Sequence, residues 1–494
     1  MANTSHQVLV ENQLNGADED KHTGMNFLSV LDCSKRVLVV GDIVLDKYIY
    51  GTCTRIAQEF PMPIFSESSE EFRLGGAANV ANNLRAMGLV ADLLTVVGDE
   101  VDTIKQLCSN KGLGIKGLVE CPNYQVKTNT RYFADGRQCF RADKNSQTEV
   151  PREIKRVLAE KAESFLAAVD YGVVIISDYR NGMFDAELAQ DIIYTANKYG
   201  VATIVDPKRG NYERFKGATC IKPNEEDARY FSQSYNSDNV HDVSQTFCEK
   251  LDISVCIMTL AERGLSLYDH RDRVFKMIPA QDKNVNVVDV CGCGDTVAAA
   301  LAFGIAHRQP LADTCHLANM CAANVIQRQG TVEVNIADVI TDKVLRSGNE
   351  VRNLKRVLPK DKVVILTTGC FDLLHIGHAT FLENAKELGD YLIVALNSDV
   401  SVKKNKGNTR PVCTLRERCA VLEATKYVDF IVVFDEKRPE WVVEVLDPDI
   451  LVKGEEYSEE RVRKDYPSLR KYMPLPSTKG CSTTSIIKRI REKH

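Results

Sequence analysis

The sequence predicts an α/β protein of two domains, each built on a mainly parallel sheet. Val/Ile-rich runs bounded by turn or charged residues, such as RVLVVGD from Arg36 and YGVVIISDY from Tyr171, alternate with amphipathic stretches such as AELAQDIIYTANKYG from Ala186. Continuous apolar runs separated by helical periods read as buried parallel strands joined by crossover helices. The alternation starts afresh after Lys360 with VVILTTG, YLIVALNSD, FIVVFD and DILVKG, and 494 residues exceed what one hydrophobic core holds.

Residues 1–34 read as a polar N-terminal extension, 35–344 as the larger domain, 345–359 as a linker and 360–494 as the smaller domain. The linker reading rests on TDKVLRSGNEVRNLKRVLPKDK, which is charged and has no strong apolar stripe.

The 63 Lys and Arg against 68 Asp and Glu give a formal charge of −5, so nothing in the global balance marks a nucleic-acid binder. The 16 cysteines are scattered and form no C-x-x-C pair, which argues against a disulfide scaffold and a zinc ribbon and for a reducing, cytoplasmic setting. The longest apolar runs, such as VAAALAFGIA from Val297, are about half the roughly 20 residues of a membrane span, so no membrane association is expected. The acidic, polar start does not read as a secretory signal.

In the larger domain, DVCGCGDTVAAALAFG places Gly292, Cys293 and Gly294 in a tight turn before a small-residue helix. The free N–H groups of a helix start stabilise phosphate oxygens, and Asp295 beside them is placed to take a proton from an attacking hydroxyl. The same dipole is expected to lower the thiol pKa of Cys291 and Cys293. GDIVLD puts Asp42 and Asp46 after the first strand, RLGGAANVANNLRAMG supplies Gly75, Gly76 and Asn79, and KPNEEDA supplies Asn224, Glu225, Glu226 and Asp227.

Together these four strings resemble the ribokinase (PfkB) family of carbohydrate kinases. The resemblance implies a ribokinase-like fold with Asp295 as catalytic base and Gly292, Cys293 and Gly294 as the anion hole. It puts Asp42, Asp46, Gly75, Gly76 and Asn79 at the sugar, and Asn224 to Asp227 at ATP and its magnesium. Two departures stand out: cysteines flank Gly292 in the G-A-G-D turn, and Asp227 replaces a glutamate. Arg131, Arg141 and Lys208 are candidates for a sugar-borne phosphate.

In the smaller domain, TTGCFDLLHIGHATFLENAKELGD sets His375 and His378 three residues apart around Gly377 at a helix start, so both imidazoles face one phosphate chain. No third histidine or cysteine has metal spacing, which favours phosphate over zinc. With GCSTTSIIKRI, this string resembles the Rossmann-like nucleotidyltransferase superfamily that includes glycerol-phosphate cytidylyltransferases. By that resemblance Phe371, Asp372, His375, His378, Ser482, Thr483 and Thr484 meet the nucleoside triphosphate, and Lys403, Lys406, Arg410 and Arg418 neutralise phosphate.

Kinase and transferase joined in this order resemble the bifunctional enzymes that phosphorylate heptose 7-phosphate at C1 and adenylylate heptose 1-phosphate for lipopolysaccharide. The resemblance implies ATP and a sugar phosphate as substrates, Mg2+ bound mainly through nucleotide phosphates, and a homodimer through the kinase domain. The alternatives are another sugar or nucleotide, or one half serving as a regulatory module.

Overall fold

In the computed structural model, residues 25–493 are described except 145–148, 209, 211, 234–238, 281–284 and 477–482. The chain forms two compact units, one of Asp32–Val339 and one of Asn26–Leu31 with residues 340–493.

The first unit holds β1 (Arg36–Gly41), β2 (Ile43–Ile56), β3 (Pro63–Gly76), β4 (Val90–Val97), β5 (Leu118–Glu120), β6 (Lys127–Ala134), β7 (Arg137–Lys144), β8 (Tyr171–Asp178), β9 (Ala202–Pro207), β10 (Cys220–Ile221), β11 (Val255–Thr259), β12 (Leu265–Asp269) and β13 (Val274–Ile278). Nine of these make one sheet in the order β13-β12-β11-β10-β9-β8-β1-β4-β5, parallel except for the last hairpin, β12 and β13. Every residue of β8 is buried, the reason its sequence lacks polar alternation. From β1 the chain first builds the β4 side and later returns to build the β8 side. The crevice at the carboxyl ends of β1 and β8 is therefore a topological switch point, where such sheets bind ligands.

The helix Cys293–Ala306 is buried from Asp295 onward and packs against the helices Ala77–Ala86 and Leu311–Val325. Small residues allow the close approach: a Cβ on Gly304 would lie 2.2 Å from Thr314 Oγ1. A separate sheet, β3-β2-β6-β7, pairs Asp46 with Asn129 and Tyr48 with Arg131, putting Asp46, Tyr48, Asn129 and Arg131 on one face.

The second unit is a parallel sheet of β14 (Val344–Leu345), β15 (Val364–Gly369), β16 (Tyr391–Asn397), β17 (Phe430–Phe434), β18 (Ile450–Gly454) and β19 (Tyr472–Leu475), in the order β14-β17-β16-β15-β18-β19. Its switch point lies between β15 and β18. One face buries Ile365, Leu392, Val394, Leu396, Ile431 and Val452 against Leu382, Ala385 and Leu422.

The stretch 345–359 is not a linker. Leu345 belongs to a strand of this sheet, and Gly348–Val357 is a helix opened by a capping box between Ser347 and Glu350. Val351, Leu354 and Val357 form its buried stripe, which Arg352, Lys355 and Arg356 had hidden in the sequence. Residues 26–31 of the expected extension also belong here. Asn353 Nδ2 donates to the carbonyls of Leu28 and Leu31, each at 2.9 Å, and Asn26 Nδ2 to Asp342 Oδ2 at 2.7 Å.

Candidate active sites

In the first unit, Gly292 caps the helix Cys293–Ala306 with φ of 75°, a left-handed conformation suited to glycine. A Cβ there would lie 2.7 Å from Asn79 Nδ2, so the glycine also lets Asn79 reach the turn. Asp295 follows in the first helical turn, 3% exposed. Asn79 Nδ2 donates to its Oδ2 at 2.8 Å and Tyr179 Oη donates to its Oδ1. Burial lifts its carboxyl to about 6, against the lowering effect of those two hydrogen bonds. A carboxylate with that pKa is ionised near neutrality and basic enough to accept a hydroxyl proton.

The other residues expected at the sugar divide. Asp46 is buried and ringed by protein donors: Arg131 at 2.6 Å, Asn129 at 3.2 Å and Thr331 Oγ1 at 2.7 Å. Gly75 is bare because a Cβ would sit 2.7 Å from Asp46 Oδ2, and Gly76, at φ of 61°, precedes the helix carrying Asn79. Asp42 instead accepts the backbone N–H groups of Tyr179 and Asn181 at 2.9 and 3.3 Å, and burial with Asp178 nearby pushes it to about 7. Arg131 is committed to the buried pair with Asp46 and also donates to Cys291 Sγ at 3.2 Å. Arg141 lies directly across from Arg131 on β7, exposed and paired with Asp143. Lys208 lies over the Tyr179 ring at 4.9 Å; burial opposes its charge, but Asp206, Asp295 and Asp227 outweigh that and raise its pKa. The structure thus groups Lys208 with the base rather than with Arg131.

One expectation fails. The thiols of Cys291 and Cys293 are pushed up to about 11 each, mainly by burial, so desolvation outweighs the helix dipole.

Asn224 Oδ1 accepts Asp227 N at 2.7 Å and so starts the helix Glu225–Gln233. Glu225 pairs with Arg229 and Arg263, Glu226 is exposed, and the carboxylate of Asp227 is buried. Oxygen donors suit magnesium, and Asp227 is the buried carboxylate of this group, close enough to Lys208 to act on its charge, which fits an ion held mainly through nucleotide phosphates. Among the described residues no cluster of three or more metal-ligating side chains occurs.

In the second unit, β15 ends at Gly369 and turns through Phe371 and Leu373, both left-handed at φ of 44° and 55°. His375 caps the helix Ile376–Lys386, and the His375 and His378 rings stack with centroids 3.9 Å apart. Among the described residues neither Nδ1 has a partner. Burial lowers both pKa values, that of His378 to about 4 with help from His375 and Lys406. Both imidazoles are therefore neutral near pH 7, with nitrogens free to meet a phosphate chain. Phe371 packs 5.2 Å from His378 between ring centroids.

Two residues expected at the nucleotide hold the scaffold instead. Asp372 binds Arg410 at 2.7 Å and the N–H groups of Val412 and Cys413, which fixes the loop after the lysines. Arg418 is buried, donating to the carbonyls of Cys370 and Asn397 at 2.7 Å each and to Asp399 at 2.8 Å. No charge of Arg418 is left for a phosphate. Lys403 and Lys406 are exposed in the last turn of the helix Asp399–Lys406. Thr483 Oγ1 donates to Asp372 O at 2.7 Å, bringing the last helix to the turn. Ser482 and the Thr484 side chain lie outside the described residues.

Sequence reading passed over Thr331 and the buried pair of Asp206 with Lys222, at 3.0 Å. Lys222 stood in plain view in K-P-N, whereas Thr331 carries no motif of its own.

A buried carboxylate at a helix start beneath a glycine turn, and a stacked histidine pair at a second switch point, belong to a chain whose two halves match a carbohydrate kinase and a nucleotidyltransferase. The profile of the pfkB family of carbohydrate kinases matches residues 34–337, and the cytidylyltransferase-like profile matches 366–489. The first unit has the fold of phosphofructokinase-2 from Escherichia coli, solved with potassium, at a TM-score of 0.52 and 16% identity over 62% of this chain and 97% of that one.

Full-length relatives narrow this further. The chain is 34% identical over 488 residues to the bifunctional protein HldE of Syntrophotalea carbinolica, covering 95% of this chain and 98% of that one. It is 35% identical to that of Campylobacter jejuni subsp. doylei over 93% and 98%, and 34% identical to that of Geobacter sulfurreducens over 92% and 95%. The chain belongs to the family of bifunctional HldE proteins and has kinase and nucleotidyltransferase activity.

Proposed function

We propose that the first unit transfers the γ-phosphoryl group of ATP to the C1 hydroxyl of D-glycero-D-manno-heptose 7-phosphate. The product is heptose 1,7-bisphosphate, and once a separate hydrolysis has removed its 7-phosphate the second unit transfers AMP from ATP to heptose 1-phosphate, releasing pyrophosphate and making ADP-heptose for the lipopolysaccharide core. The observation that carries this reading is the end-to-end relation to HldE proteins, with a base and a histidine pair each set at its own switch point.

In the kinase step, Asp295 takes the proton of the C1 hydroxyl as its oxygen attacks the γ-phosphorus, and the N–H groups of the turn at Gly292, Cys293 and Gly294 hold the phosphoryl oxygens. Asp227, with Asn224 ordering the start of its helix, serves the magnesium, which neutralises nucleotide phosphate charge when bound. Asp46 and Asn79 order the sugar side of the crevice, and Arg141 supplies a cation toward the 7-phosphate.

In the transferase step, the nucleophile is a phosphate oxygen that is already anionic, so no base is required. His375 and His378 donate hydrogen bonds to the triphosphate, and Lys403 and Lys406 add positive charge as pyrophosphate leaves.

We read the kinase unit as a homodimer in the cytoplasm. Support comes from the outer face of the four-stranded sheet, where Phe65, Tyr132 and Phe140 form an aromatic ladder with Phe140 61% exposed, and from described cysteines that are all unpaired. Among the described residues no helix is long and apolar enough to cross a membrane.

The test is product identification by mass after separate incubations of the chain with ATP and heptose 7-phosphate and with ATP and heptose 1-phosphate. Heptose 1,7-bisphosphate from the first and ADP-heptose from the second support the reading, and a chain that modifies other sugars but neither of these overturns the substrate assignment.

A further inference from the structure

A buried carboxylate, Asp42, and the half-buried Tyr179 form a chain of contacts that ends on Asp295. Asp42 follows β1 directly, and its Oδ2 accepts the N–H groups of Tyr179 and Asn181 from the turn after β8. The turn needs such an anchor, because Arg180 within it is left-handed at φ of 58°. Fixing the backbone of Tyr179 aims its side chain across the crevice, where the hydroxyl donates to Asp295 Oδ1. Lys208 covers the ring at 4.9 Å, and Tyr124 Oη donates to Asn181 O at 3.1 Å, so the turn is held from three sides.

We infer that Asp42 and Tyr179 are positioning residues of the kinase reaction: Asp42 holds the turn, and through it the Tyr179 hydroxyl sets the rotamer of Asp295 and its readiness to accept a proton. Asn79 holds the second oxygen at 2.8 Å, so the two donors together fix the carboxylate plane. The remaining lone pairs are then directed toward the crevice for the acceptor hydroxyl. Without Tyr179 the carboxylate would keep one donor and could turn about its Cβ–Cγ bond. This role differs from the sugar contact that the sequence suggested for Asp42. It rests on the kinase reading of the first unit but not on which sugar is used.

The groups facing Asp295 are Asn79 from the helix Ala77–Ala86, Tyr179 from the turn after β8, and Asp206 and Lys208 from the end of β9. Lys222, paired with Asp206, lies beside Cys293. Asp206 raises the affinity of Asp295 for its proton, while Lys208, Asn79 and Tyr179 lower it. Removing the Tyr179 hydroxyl therefore takes away a stabiliser of the ionised base, and the midpoint of Asp295 must rise.

The experiment is Tyr179→Phe in the full-length chain, with Asp42→Ala beside it. The acid limb of the kinase rate is expected to move up by about one pH unit, on the scale of one hydrogen bond to a charge. The rate below the limb should fall about tenfold for that shift, while adenylyl transfer by the same chain is unchanged. Asp42→Ala should move the limb in the same direction if it folds.

A direct titration needs no sugar: the 13C carboxyl signal of Asp295, assigned by its loss in Asp295→Asn, should titrate higher in Tyr179→Phe. An unmoved signal, or a rate that falls equally at every pH with the limb in place, would overturn the proposal. If the wild-type chain ignores heptose 7-phosphate but the carboxyl signal shifts, the substrate reading fails and the positioning role stands.

Discussion

The two crevices occupy equivalent places, each outside the carboxyl ends of a parallel sheet at its switch point, yet they are furnished with opposite chemistry. In the first unit the crevice holds buried carboxylates, and burial raises Asp295 to about 6 and Asp42 to about 7. In the second it holds two stacked imidazoles kept neutral, with His378 lowered to about 4. The difference follows from the nucleophile. In the proposed kinase step a sugar hydroxyl must lose a proton to attack, and Asp295 is the carboxylate proposed to take it. In the proposed transfer step the sugar phosphate is already anionic, so hydrogen-bond donors and positive charge are what it needs.

The largest test of that contrast is Asp295→Asn. C1 phosphorylation should fall by about 10²–10⁴-fold, the range for a lost general base, while adenylylation of supplied heptose 1-phosphate stays at the wild-type rate in a coupled pyrophosphate assay. Loss of both activities would mean the crevices are not chemically separate. His378→Ala should reverse the pattern, lowering adenylyl transfer by about 10²–10³-fold as a phosphate donor is removed, with the kinase unaffected.

A smaller effect is expected from Asn353→Ala. Two carbonyls, those of Leu28 and Leu31, would lose their donor, and the second unit should lose about 1–3 kcal/mol in urea unfolding. The first unit should unfold as before. The smallest effect is expected from iodoacetamide near pH 7: because Cys291 and Cys293 are held near 11, labelling at the anion hole should be slow and kinase activity should change less than about twofold. Rapid, nucleotide-protected inactivation mapped to either cysteine would contradict the burial account.

Where a site is built from a contiguous string, the sequence displayed it. G-x-G-D and H-x-G-H each place a polar side chain within a few residues of the glycine that makes room for it, so Asp295 and His378, the residues proposed to act, could be picked from the string alone. Partnerships across the fold were hidden. Asp372 and Arg418 are as polar as any phosphate ligand, and only the structure reveals that backbone groups and Arg410 already claim them. Asp42 lies four residues from Asp46 in the sequence, yet one serves a turn after β8 and the other the face carrying Arg131. Helix Gly348–Val357 was misread for a different reason: three apolar residues spaced by three make a stripe too narrow to see among four charges.

The contrast between the crevices is tested most directly by recording both half-reactions against pH on one preparation of the wild-type chain. Kinase activity should rise with pH through about 6, as Asp295 loses its proton and becomes a base, because its folded-state pKa lies above the ordinary carboxyl value. Adenylyl transfer should show no limb there from His378, which stays neutral down to about 4, once the second ionisation of the sugar phosphate itself, at about 6 for a phosphate monoester, has been subtracted by titrating the free substrate. A transferase profile with the same limb near 6 after that subtraction, or a kinase profile flat from pH 5 to 8 on the scale set by that pKa, would contradict the account.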